Sequence, residues 1–174
     1  NVYVADQMNH RIRKICNGTV TTVAGCSQGY SNGYCTSAQF HNTTALVVDV
    51  NDNLYVVDQC NFSIRKIDPS GNVSTYSCSS QNNGSSDNQF GAPCGIAVDA
   101  NCNIYVADQT NKHVKKICPN GVVSDYSCSG IENNIDATNL SCQVSVPCGL
   151  AADSKGNVYL SDYKGQCVHK ITCQ

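Results

Sequence analysis

Asn1-Val-Tyr-Val-Ala-Asp6-Gln-Met-Asn-His-Arg-Ile-Arg-Lys-Ile15 recurs three more times without a gap, as residues 53–67, 103–117 and 157–171. The Asp closing the first half of each copy falls at Asp6, Asp58, Asp108 and Asp162, giving periods of 52, 50 and 54 residues. Another Asp stands nine residues upstream of the last three, at Asp49, Asp99 and Asp153. Self-similarity at this period marks an array in which each unit buries its apolar face against its neighbours.

Each unit reads as β throughout. In the third, Gly95-Ile-Ala-Val-Asp99 is a short apolar strand, and Ala100-Asn-Cys-Asn103 is an Asn-rich turn. Ile104-Tyr-Val-Ala-Asp108 follows as a buried strand, His113-Val-Lys-Lys-Ile117 as a third, and Val122-Val-Ser-Asp-Tyr126 as a fourth beyond the hairpin turn Pro119-Asn-Gly121. No helical periodicity outlasts a turn. Four antiparallel strands every 50 residues or so make an all-β fold of β-propeller blades. The expected units are a partial blade 1 at residues 1–25, blades 2 and 3 at 45–77 and 94–127, and a partial blade 4 at 146–174. That is fourteen strands, about three and a half blades, in an open or incomplete ring.

The repeat resembles the NHL family, named for its Asn, His and Leu positions. Asn9-His10 with Ile12 in the Leu slot is the nearest copy, Asn61-Phe62 and Asn111-Lys112 keep the Asn, and Gly165-Gln166 replaces the pair in the fourth unit. The resemblance implies a propeller, usually of six blades. Activity does not follow from it, because similar architectures serve RNA-binding domains, amidating lyases, sensors and adhesion proteins.

Composition narrows the class. Charged residues are 14% of the chain and the net charge is −2, which argues against a nucleic-acid partner held through phosphates. The longest apolar runs, such as Ala45-Leu46-Val47-Val48, are far too short to span a membrane. Thirteen cysteines, none closer than six residues to another, suit disulfide staples better than a metal cluster. Six Asn-x-Ser/Thr sequons, at Asn17, Asn42, Asn61, Asn72, Asn83 and Asn139, agree with a secreted, glycosylated protein. Asn1 already reads as strand, so the chain is expected to be processed or cut from something longer.

Several residues invite a catalytic reading. The Asp closing strand b precedes two basic positions on strand c (Arg13-Lys14, Arg65-Lys66, Lys115-Lys116, His169-Lys170). Recurrence in every blade favours a cross-strand polar pair on the solvated side over a site, which occurs once. Asp49, Asp99 and Asp153 could bind calcium, but turn aspartates more often bond their own backbone. His10, His41, His113 and His169 sit at different repeat slots and do not form a ring of ligands. No Gly-x-Ser-x-Gly elbow occurs. Tyr3, Tyr55, Tyr105 and Tyr159 read as packing residues. The chain is therefore expected to be no enzyme and to hold no metal or cofactor.

The loops from strand d to the next strand a, 26–44, 78–93 and 128–146, share one face with the b–c turns and are either a partner surface or solvated connectors. Hairpin geometry brings Cys60 to Cys78, and Cys26 to Cys35 is the corresponding loop closure. Cys128 looks to Cys142 or Cys148. Glycans are expected first at Asn17, Asn42, Asn83 and Asn139, then at Asn72, and least at Asn61. Open blade edges call for covering, by more of the same chain or by further copies head to tail. The function expected is an extracellular structural or binding module. The alternative is a piece of a secreted, metal-dependent lyase-like propeller.

Overall fold

A computed structural model describes residues 1–77, 84–85, 89–127 and 144–172. Among them the chain is all-β, with three short 3₁₀ turns and four antiparallel sheets. Blade 1 holds β1 (Val2–Asp6), β2 (Arg11–Cys16) and β3 (Thr19–Ala24). After β4 (Gly33–Tyr34), blade 2 holds β5 (Thr43–Val48), β6 (Leu54–Asp58), β7 (Ser63–Ile67) and β8 (Asn72–Ser77). Blade 3 holds β9 (Pro93–Val98), β10 (Ile104–Asp108), β11 (His113–Ile117) and β12 (Val123–Ser127). Blade 4 holds β13 (Pro147–Ala152), β14 (Val158–Asp162) and β15 (Cys167–Ile171).

The repeat fixes the turns as well as the strands. The residue after each b–c turn is left-handed in all four blades: His10, Phe62, Lys112 and Gln166, with φ between 51° and 57°. Gln166 takes this conformation although Gly165-Gln166 departs from the pattern, so blade 4 keeps its turn. The c–d hairpin of blade 1 turns on Asn17 and Gly18, both at positive φ, which suits a two-residue turn between twisted strands. One strand lies outside the expected set. β4 pairs with the outer edge of blade 2, Gly33 opposite Val73 and Tyr34 opposite Asn72, and so covers an edge that the repeat leaves bare.

The core lies between blades. Ile12 and Ala24 of blade 1 pack with Phe40 of the loop 26–44 and with Leu54, Val56 and Ile67 of blade 2. Tyr55, Val57 and Ile64 on the far side of blade 2 meet Ile96, Ile104, Val106 and Ile117 of blade 3. Tyr105, Ala107 and Val114 then meet Val158, Leu160 and Ile171 of blade 4. Alternation along strand b accounts for this: Leu54 and Val56 point to the preceding blade, and Tyr55 and Val57 to the following one. Blades 2 and 3 thus pack a neighbour on both faces.

Candidate functional site

The Asp closing strand b ties the incoming d–a loop to its blade. Asp58 accepts the His41 N–H at 2.7 Å and the Asn61 amide at 2.9 Å. Asp108 accepts Gly91 N–H at 2.8 Å, Ala92 N–H at 3.0 Å and the Asn111 amide at 2.9 Å. Asp162 accepts Ser145 N–H at 2.7 Å and Val146 N–H at 2.9 Å. There the missing Asn is replaced by the Gly165 N–H, which donates to Asp162 at 2.9 Å. Asn and Asp of the repeat are thus partners, and backbone substitutes where the Asn is lost.

The basic residue of strand c is not on the solvated side, as the sequence led us to expect. Arg65 and Asp58 pair at 2.9 Å with both side chains fully excluded from solvent. Arg65 also donates to Gln39 O at 3.1 Å, Ser31 O at 3.0 Å and the Asn32 side chain at 2.7 Å, and it stacks on Phe40 and Tyr30. The loop 26–44 closes over the pair and takes it out of water. Lys115 is likewise buried and reaches Asp125 at 3.1 Å, and His169 lies 3.9 Å from Asp162. In blade 1 both partners of the pair, Arg13–Asp6 at 3.1 Å, are partly exposed. Burial pushes the Asp58 carboxyl up despite the hydrogen bonds from Asn61, His41 and Arg65. The second basic position, Lys14, Lys66, Lys116 and Lys170, sits over the strand-b tyrosine of its own blade.

Asp49, Asp99 and Asp153 bond their own turns. Asp99 accepts Asn101 and Asn103 N–H, each at 2.9 Å, the Asn103 amide at 2.7 Å and the Tyr105 hydroxyl at 3.0 Å. Asp49 and Asp153 repeat the set with Asn53 and Tyr55, and with Asn157 and Tyr159. Three carboxylates converge where these turns line one pocket, each committed to its own blade. Among the described residues no three His, Cys, Asp or Glu are grouped to hold a metal ion.

The loop 26–44 lies against the b–c turn of blade 2: Cys60 N–H donates to His41 O at 3.1 Å, and the Asn61 amide reaches Gly29 O at 2.8 Å. It also brings together two histidines that sequence slots had separated. His10 and His41 stack edge to face at 5.8 Å, and His10 Nδ1 accepts the Asn42 N–H at 3.2 Å. Only a contact between adjacent blades produces this, and the repeat register alone does not show it.

The sequon residues differ in what their side-chain nitrogen does. Asn17 is exposed on its hairpin. Asn42 Nδ2 donates to Gln59 at 2.8 Å, and exposed Asn72 donates to Ser70 at 2.9 Å and Asp68 at 3.1 Å. Asn61 is buried, with Nδ2 donating to both Asp58 and Gly29 O. Asn83 and Asn139 lie outside the described residues.

Cys26 and Cys35, the pair expected to close the loop, both carry thiols here. The Cys35 carbonyl, not its sulfur, meets Gly25 N–H at 3.2 Å, while the sulfur faces Gly71. Cys26 instead donates to Ala38 O at 3.4 Å. Cys60 and Cys148 are also free; their expected partners Cys78, Cys128 and Cys142 lie outside the described residues.

The two terminal blades each present an uncovered face. Val2, Val4, Ile15 and Val20 of blade 1 are 60%, 39%, 36% and 60% exposed, whereas Leu54, Val56, Ile67 and Val73 in the same slots of blade 2 are at most 4% exposed. On the other side of the array, Val168 of blade 4 is 66% exposed, whereas Ile12, Ile64 and Val114 in its slot are wholly buried. The first face is of the kind that packs on a preceding blade, and the second of the kind that receives a following one.

No protein-family model and no curated protein sequence matches the chain. Solved structures do. A protein of unknown function from Bacteroides thetaiotaomicron is similar over 97% of this chain and 43% of its own, at 23% identity and a TM-score of 0.77. An auxiliary nutrient binding protein from Bacteroides ovatus is similar over 97% and 44%, at 17% identity and a TM-score of 0.71. Virginiamycin B lyase from Staphylococcus aureus is similar over 98% and 48%, at 13% identity and a TM-score of 0.64. The fold is a β-propeller, and the chain spans less than half the length of each of these structures.

Proposed function

We propose that the chain is an extracellular, glycosylated, cysteine-rich structural and binding module of NHL repeats, whose two open blade faces each dock a further blade of the same kind. That blade comes from more of the same chain or from another copy placed head to tail. The carrying observation is the exposure of Val2, Val4, Ile15 and Val20 where their repeat equivalents are buried. An apolar set of this size on one side of a sheet marks an interaction surface, and the blade 1–blade 2 core supplies its matching partner. The NHL assignment rests on the Asn–Asp partnership at Asn9–Asp6, Asn61–Asp58 and Asn111–Asp108. Secretion rests on the cysteine count and the sequons.

Head-to-tail contacts that fail to close build filaments, and those that close build rings. Electron microscopy of the native material tests the reading. Closed discs or continuous strands support it, and continuous strands assign the next blade to another copy. Isolated open arcs with bare terminal blades would overturn it.

A further inference from the structure

Thr44, Cys94 and Cys148 occupy one repeat slot on the inner strands β5, β9 and β13. The Thr44 hydroxyl donates to Cys94 O at 3.0 Å. The Cys94 thiol in turn donates to Pro147 O at 3.1 Å and to Cys148 O at 3.5 Å. The strands come this close because the next residue is glycine: a Cβ on Gly95 would collide with the Cys148 carbonyl. The Cys94 sulfur therefore lies beside the Cys148 backbone. Both residues are half-buried, and the Gln109 amide holds the Cys148 sulfur from the other side at 3.6 Å.

We propose that Cys94 and Cys148 form a dithiol–disulfide pair that staples blade 3 to blade 4 across their inner strands. Bridging requires backbones this near, and the slot is the one through which Thr44 already links blades 2 and 3. The pairing places the partner of Cys148 on the neighbouring blade rather than at Cys128 in its own loop. The oxidant is a low-molecular-weight disulfide such as oxidised glutathione. The Cys148 thiolate attacks one glutathione sulfur and expels the other glutathione as thiolate. Cys94 then gives up its proton and attacks the Cys148 sulfur of the mixed disulfide, expelling the second glutathione. One S–S bond forms, one breaks, and the two protons leave on two glutathione thiols. Burial first, and the neighbouring Cys148 thiol next, push the Cys94 thiol up to about 12, so closure speeds up as pH rises.

The test adds its own oxidant and so stands apart from the secreted reading. The folded chain is incubated with oxidised glutathione, its remaining thiols are alkylated, and it is cleaved before aspartates. Cys94 then lies on peptide 87–98 and Cys148 on peptide 136–152 together with Cys142, which fragment spectra resolve. The expected result is the two peptides joined through Cys94 and Cys148, with both alkylation signals lost. In Cys94→Ser, which puts a hydroxyl where Thr44 already carries one, Cys148 becomes alkylatable. Alkylation of both residues in the oxidant-treated wild type, or a bridge from Cys148 to any other cysteine, would overturn the proposal.

Discussion

Arg65 and Asp58 form an ion pair 2.9 Å long in which neither side chain reaches solvent, whereas the equivalent Arg13–Asp6 pair is partly exposed. Removing one partner of a buried pair strands the other charge, at about 3–5 kcal/mol. Exposed pairs contribute about 0–1 kcal/mol. Asp58→Ala is therefore expected to lower the free energy of unfolding several-fold more than Asp6→Ala. Denaturant titration of both variants measures this, and equal losses would contradict the burial account.

Acid should destabilise the fold. Among the described aspartates Asp6, Asp49, Asp68, Asp99, Asp153 and Asp162 lie below the ordinary range, and Asp58 is raised. At Asp99 burial pushes the carboxyl up, but hydrogen bonds from Asn103, Tyr105 and Asn101 outweigh it. A carboxylate whose folded value lies below its unfolded value of about 3.9 contributes stability above that pH and loses it as pH falls toward the folded value. Asp58, raised by burial, runs the other way and is outnumbered. Stability is expected to stay level from neutral pH to about 5 and to fall below about 4, with a shallower acid limb in Asp99→Asn. Denaturant midpoints against pH check the sign.

Glycan occupancy should separate the sequons by geometry. Asn17 is exposed at a hairpin tip and is expected to carry sugar, while Asn61, buried with its nitrogen donating to Asp58 and Gly29, is expected to stay bare. Glycopeptide mapping of the native protein decides it. Sugar on Asn61 would mean that its tie to Asp58 is broken in the glycosylated form.

The blades were legible because the repeat is local: Tyr-Val-Ala-Asp and Arg-Ile-Arg-Lys-Ile carry strand alternation and turn chemistry within fifteen residues. What escaped depends on contacts across loops and between blades. Arg65 reads as a solvated base until Ser31, Asn32 and Gln39 close over it. Gly33-Tyr34 has too few residues to read as a strand, and only the bare edge at Asn72 and Val73 makes it one. The histidine slots likewise concealed His10 against His41, a contact made by two adjacent blades.

The central claim, that the faces of blades 1 and 4 are docking surfaces for further blades, is tested most directly by sedimentation of the purified chain over a range of concentrations. Val4 and Val168 stand on opposite open faces, at 39% and 66% exposure. Val4→Lys and Val168→Lys each put a charge where an apolar blade contact would form, without touching the internal cores. The account predicts concentration-dependent self-association of the wild type that either substitution abolishes while leaving the melting of the chain unchanged. A wild type that sediments as an 18.6 kDa monomer at every concentration, indistinguishable from both variants, would contradict it.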